Sequence, residues 1–365
     1  MKKAIASLVV LAILITPCFA DFESEQAGRY GLNELQDSIP DSAGDVVGDL
    51  EVDTGGNFQD KLSKLWHNFT EKISDAVKES LSNTAGVMLI VLLCSVLTAV
   101  FDYDRLPEYI ILAGCVAICA LTVGDVKSLI GMGGSTLQDL SDFSKVLLPT
   151  LCTAAVSGGA ITSAAAKYAA TALFMDILIT IATNVIVPLI YVYLVSLIAS
   201  AALGNDTLVG VTKLIQKLCV LLMTGLTIAF TAYLSITGAV AGSADVVATK
   251  LTKTAISTVL PVVGGVISDA ASTVVAGAGI LRNAIGVFGM IVICGTCVAP
   301  FAALGAQYLL FKLAAACAHA LPTGRISALI DGIGTACGMM LGLTGCAAVM
   351  LFLSIISSIK AVSGL

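Results

Sequence analysis

Residues 172–203 read ALFMDILITIATNVIVPLIYVYLVSLIASAAL, and this run decides the fold class. A helix needs about 20 consecutive apolar residues to cross a bilayer. The run is longer than that, with a single charged side chain, Asp176, and with Asn184 one turn before Pro188. It does not stand alone, because comparable runs cover Thr84 to Phe101, Tyr109 to Gly124, Leu214 to Ala241, Ala284 to Phe311 and Ile326 to Ile356. The chain of 365 residues is 57% hydrophobic and 12% charged, with a mean hydropathy of +0.98. A soluble domain carries roughly 25% charge, so this composition excludes one. The 34 glycines, with many Ala, Ser and Thr, let helices approach closely. The expectation is an all-α polytopic membrane protein, a small-residue-rich helical bundle with about six to eight spans.

Outward from this run, a second punctuation repeats. Val146-Leu147-Leu148-Pro149 precedes Pro188, and Thr258-Val259-Leu260-Pro261 precedes Val298-Ala299-Pro300. Pro149 to Pro261 and Pro188 to Pro300 are both separations of 112 residues, and Lys213 and Arg325 share the same separation. Proline removes a donor and clashes with the preceding turn. At membrane depth such breaks persist where protein or a cavity satisfies the freed carbonyls, a plan common among transporters. An internal repeat is therefore expected, with units at 125–241 and 242–358 after a transmembrane hairpin at 84–124. The Pro-led segments Val146 to about Ala165 and Val259 to Ile280 leave two topologies open. If they cross, the units are inverted and there are eight spans; if they only dip in, the units are parallel and there are six. Loop charges do not separate the two.

The N-terminus has the pattern of a secretory signal over residues 1–20. Lys2 and Lys3 precede an apolar core, and Cys18-Phe19-Ala20 forms a small-x-small cleavage site. An uncleaved first helix and, on Cys18, a lipoprotein are the alternatives. Residues 21–56 form an acidic exported arm with ten acids against Arg29, expected to be disordered or ordered only on a partner. Residues 57–82 then read as an amphipathic juxtamembrane helix. Phe58, Leu62, Leu65, Trp66, Phe69, Ile73, Val77 and Leu81 follow the helical period. Its face carries balanced charge, so it suits the membrane interface, a partner or the protein's own bundle equally.

Chemistry-bearing residues are sparse. Cys294-Gly295-Thr296-Cys297 has redox spacing and Cys317 lies near His319, but both lie in apolar runs where free cysteine behaves as a small hydrophobe. No Walker loop, HExxH or GxSxG is present, and His67 and His319 are the only histidines. No catalytic, cofactor or metal site is expected, and nothing suggests nucleic acid. Charge at bilayer depth is costly and faces a bundle interior or a water-filled path, which makes Asp176 the candidate buried charge. Asp331 and Lys312 lie near the ends of their runs. Gly334, Gly338 and Gly342 form overlapping GxxxG steps, suited to packing within the chain or between chains.

The chain resembles the stage III sporulation protein AE family. The resemblance rests on Leu148-Pro149 with Ser157-Gly158-Gly159-Ala160-Ile161-Thr162-Ser163, on Asn184 with Val187-Pro188-Leu189, on Leu260-Pro261-Val262-Val263-Gly264 with Ser268-Asp269-Ala270, and on Leu281-Arg282-Asn283. It implies a sporulation protein in the mother-cell membrane around the forespore, with the mature N-terminus in the intermembrane space. The implied partners are other stage III sporulation membrane and ring-forming proteins, a secretion-type ATPase and membrane lipid. Asp176 is not part of the family's pattern. Three roles follow: a conduit or export-platform subunit, a non-conducting assembly scaffold, and a stand-alone transporter. The candidate helix-break and path-lining residues are Pro149, Ser157, Gly158, Gly159, Asn184, Pro188, Pro261, Gly264, Asp269, Asn283 and Pro300.

Overall fold

The computed structural model describes residues 32–47, 58–101, 106–157, 163–204, 206–259, 264–321 and 324–360. Among them the secondary structure is helical. The short helices α1 (Leu32–Asp37) and α2 (Asp41–Val47) precede α3 (Phe58–Val100) and α4 (Leu106–Ser157). Next come α5 (Ser163–Ile181), a π turn (Ala182–Ile186) and α6 (Val187–Leu203). The long helices α7 (Asp206–Val259), α8 (Gly264–His319) and α9 (Gly324–Lys360) close the chain.

Six helical stretches are long and apolar enough to cross a membrane: Thr70–Val100, Leu106–Ala154, Ala170–Leu203, Thr207–Ser235, Asn283–His319 and Gly324–Ile356. The chain is thus an all-α membrane bundle. Its centre is the α8–α9 hairpin. In the most apolar stretch, 67% of α8 and 56% of α9 is buried, against 11% of α7. α4 packs along this pair with Val126, Ile130, Leu137, Leu140, Leu147 and Leu151, all fully buried or nearly so. These positions recur every three or four residues, so one face of a very long helix meets the core.

The exposed face of α4 changes character along its length. Leu106, Tyr109, Leu112, Val116 and Leu121 are exposed at first, then Asp125, Lys127, Ser128, Ser135, Gln138, Asp142 and Lys145. At the change, Asn83 Nδ2 donates to Asp125 Oδ2 at 2.8 Å, so α3 and α4 leave the apolar layer together.

Three expectations are corrected. The arm is not featureless over residues 32–47. Leu35, Ile39 and Ala43 lie four apart, Leu35 and Ala43 are fully buried, and Ser42 Oγ donates to Asp139 Oδ2 at 2.8 Å. These few apolar side chains suffice to seat α1 and α2 on the bundle. Second, Pro149 and Pro300 do not break their helices; each lies inside a continuous one. Pro149 is exposed, and Pro300 is buried in the tightly packed α8. Third, α4 runs unbroken past position 125, where the first unit was placed, and α7 runs past 241. The signal segment 1–20, and the side chains of Trp66 and Phe69 on the juxtamembrane helix, lie outside the described residues and side chains.

Candidate functional site

Of the three candidate helix-break prolines among the described residues, Pro188 alone remodels its helix. Pro188 has no N–H to offer the carbonyl four residues back, at Asn184. The turn before it widens to π, with the Val187 N–H donating to the Ala182 carbonyl, and α6 then starts with Pro188 in its first turn. A π turn is a costly insertion found at functional positions. Asn184 lies in its middle and is exposed, as is Pro188.

The residues that converge lie elsewhere, where the α6–α7 turn, the α8–α9 turn and the start of α4 meet. Gly204 ends α6 with φ 61°, and its N–H donates to Ser200 O at 2.9 Å. A Cβ at Gly204 would fall 2.5 Å from the guanidinium carbon of Arg325, so any larger residue would push that side chain aside. Arg325 in turn reaches Glu108 at 3.5 Å. Beneath it, Lys312 Nζ donates to Asp331 Oδ1 at 2.7 Å and to Thr335 Oγ1 at 2.8 Å. Tyr193 donates its O–H to the Gly332 carbonyl at 3.1 Å, and Ser196 and Thr212 share a hydrogen bond at 2.7 Å. His319 Nδ1 is 3.1 Å from Ser327 Oγ.

Tyr193, Thr212, His319, Arg325, Asp331 and Thr335 from these groups line a cleft of about 300 Å³ between α6, α7 and α9, with Lys213 and Gln216 also on its wall. It adjoins a second, more open cavity of about 470 Å³ that shares Gln216 and Thr335 and continues to Val220, Met223, Gly338 and Met339. The cations Lys213 and Arg325, equally spaced in the sequence with the prolines, thus line one cleft. Chemically it offers cationic and neutral donors to an anion and an apolar continuation beside them.

The other sequence candidates are dispersed. Asp176 is not buried in the fold: its side chain is 55% exposed and lies 3.9 Å from Lys145. Asn283 is exposed near the start of the α8 span. Ser157 ends α4, and Gly264 and Asp269 fall in the first turns of α8, but the surroundings of these three, like Gly158, Gly159 and Pro261, lie outside the described residues or side chains. Gly334 and Gly338 pack inside the chain, where an added Cβ would come within 3.1 Å of Phe311 and 2.8 Å of Tyr308; at Gly342 the neighbour is Met223 at 2.9 Å. The ten described cysteines are free, Cys294 exposed and Cys297 buried. Among the described residues no group of three or more His, Cys, Asp or Glu is placed to hold a metal.

The Lys312–Asp331 pair escaped the sequence reading, although a signal existed: each lies seven residues from its end of the α8–α9 turn, the register of an antiparallel hairpin. Gln307, buried with its Nε2 unpartnered among the described residues, carried no such signal.

Comparison with known proteins bears on this arrangement. The family model described as stage III sporulation protein AE matches residues 47–362. A curated relative, stage III sporulation protein AE of Bacillus subtilis (strain 168), is 24% identical over 237 residues, covering 64% of this chain. The chain spans 59% of that relative's length. No solved structure matches. The family match covers most of the chain, from the arm to the end of the last helix, and the chain belongs to the stage III sporulation protein AE family.

Proposed function

We propose that this chain is a membrane subunit of a secretion-like transenvelope channel complex that links mother cell and forespore and supports forespore development. It would lie in the mother-cell membrane around the forespore with its mature N-terminus in the intermembrane space. Its partners there would be other stage III sporulation membrane and ring-forming proteins and a secretion-type ATPase. Family membership supports the sporulation role, and the six apolar helices support the membrane setting.

One observation carries the step to a multi-subunit complex. α4 and α5–α6 run antiparallel, tied by Lys145–Asp176 at 3.9 Å and by Tyr191 Oη donating to the Lys127 carbonyl at 3.5 Å. Along that shared height α5–α6 exposes Leu173, Ile177, Val185, Val192 and Val195, with Asp176, Thr180 and Asn184 as the polar exceptions. α4 exposes Lys127, Ser128, Ser135, Gln138, Asp142 and Lys145. Lipid suits the large apolar side chains that dominate the first flank and penalises the charged and polar run of the second. A flat bilayer does not serve both, so the α4 stripe faces water or another subunit.

The test is apolar substitution on the stripe, Ser135→Leu with Gln138→Leu, both away from the buried face. A fall of tenfold or more in spore yield with the complex still co-purifying supports a conduit. Loss of both co-purification and spores supports the scaffold. Wild-type behaviour in both readouts removes the stripe from any interface and overturns the reading.

A further inference from the structure

We propose that the groove between α7 and α9 seats an anionic membrane phospholipid, with its phosphate at Lys213 and Arg325 and an acyl chain running along Val220 and Met223. This site stands apart from the complex proposed above and holds whether or not that complex conducts.

The groove exists because α7 is the least buried of the spans and touches α9 loosely. Its floor is low because Gly338 and Gly342 face it in place of side chains. At the turn end the wall is cationic and polar. Lys213 is exposed and has no ion pair among the described residues, whereas Arg325 keeps one contact, to Glu108 at 3.5 Å. Lys312 is already engaged by Asp331 at 2.7 Å, so the pair nearest the groove floor is close to neutral and the net attraction is that of Lys213 and Arg325. Gln216 and Thr335 mark the crossing between the two cavities.

Beyond the crossing the lining turns apolar. Val220, Met223, Met339 and Leu341 line the second cavity, and Met223 continues into a narrow apolar gap beside Leu226 and Met350. From Lys213 to Met223 is ten residues, about 15 Å along the helix. A charged end near the helix turns followed by an apolar channel of that length matches an amphiphile lying parallel to α7. The outer face of α7, with Leu214, Leu218, Leu221 and Ile228 exposed, is itself a lipid-facing surface, so bilayer lipid has direct access. Basic pockets between membrane helices recognise acidic head groups in this way. A free inorganic anion would use the cations but not the apolar half.

The experiment uses the full chain purified in a zwitterionic detergent and titrated with dioleoyl phosphatidylglycerol or dioleoyl phosphatidylcholine, read by native mass spectrometry and by thermal unfolding. Wild type should retain one phosphatidylglycerol per chain and unfold at a higher temperature with it than with phosphatidylcholine. Lys213→Gln should weaken that binding about fivefold, the factor for one cationic contact at a membrane surface. Lys213→Arg should restore it. Val220→Phe, which fills the apolar half and leaves the cations intact, should weaken it too. Equal retention of both lipids by wild type overturns the proposal, as does unchanged phosphatidylglycerol binding in both Lys213→Gln and Val220→Phe. Full competition by millimolar inorganic phosphate, with Val220→Phe silent, also overturns it and leaves a free-anion site. A variant that unfolds without added lipid at a temperature far below wild type is read through the other one.

Discussion

At Gly204 the backbone and a neighbouring side chain impose the same requirement. Its φ of 61° lies in the left-handed region, and a Cβ there would fall on the Arg325 guanidinium. Gly204→Ala should therefore destabilise the full chain by about 1–3 kcal/mol, read as a lower unfolding temperature in detergent. Gly210→Ala is the control, since a Cβ at Gly210, inside α7, meets nothing within 4 Å. It should stabilise by up to about 1 kcal/mol, the helix-propensity difference between the two residues. Equal effects at both positions would show that the turn does not hold Gly204 in the left-handed conformation. Gln307 makes the opposite case. It is buried and its Nε2 lacks a partner among the described residues, so Gln307→Met, near in shape, should raise stability by on the order of 1 kcal/mol. A fall in unfolding temperature would mean that the amide is bonded in the membrane. The capping half of the Gly204 story was legible, because glycine followed by Asn205 and Asp206 is a helix end followed by a helix start. The arrival of Arg325 was not, because that contact joins positions more than a hundred residues apart.

At the scale of elements, the prolines separate what sequence tells from what packing decides. The apolar runs predicted the spans well, because run length is a property of the local chain. Whether a proline breaks a helix depends on what surrounds the freed carbonyl. Pro149 and Pro300 are carried inside α4 and α8, where tertiary packing overrides the local penalty, while Pro188 shifts one turn into π geometry. The described part of the arm, residues 32–47, was misread for a related reason. Composition weighs its acids, but three apolar side chains at helical spacing are enough once a surface such as α4 is waiting. These geometries give the prolines different expectations. Pro149→Ala restores an N–H at an exposed position of a continuous helix and should leave the chain at least as stable, with spore yield unchanged. Pro188→Ala removes the cause of the π turn. It should tighten Ala182–Ile186 towards α geometry and rotate Asn184, seen as a change in labelling of an Asn184→Cys reporter. Lost spore yield from Pro149→Ala with unaltered unfolding temperature would show that a local kink there matters despite the unbroken helix.

For the whole molecule, the decisive quantity is which helix ends share a side of the membrane. Glu108 and Gly204 both meet Arg325, so the start of α4, the α6–α7 turn and the α8–α9 turn lie at one end of the bundle. On α4 the Asn83–Asp125 hydrogen bond marks where the exposed face turns from apolar to polar, eighteen residues or about 27 Å from Pro107. That length matches a hydrocarbon core of about 30 Å. α4 then continues to Ser157, and α5, tied to α4 through Lys145–Asp176, returns antiparallel. The Val146–Ala165 segment therefore begins as the far end of a helix that has already crossed, which favours six spans over eight. Single reporters in an otherwise cysteine-free chain test this directly. Phe101→Cys, Asn205→Cys and Ala320→Cys should label from one side, and Ser74→Cys and Ala166→Cys from the other. If Ala166→Cys labels with Phe101→Cys, and Asn205→Cys with Ser74→Cys, the Pro-led segment crosses by itself. The units would then be inverted, and the shared turn end built on Arg325 could not exist. Agreement with the six-span pattern would place Lys213, Arg325 and the groove mouth at a single membrane surface, where an acidic head group can reach both cations at once.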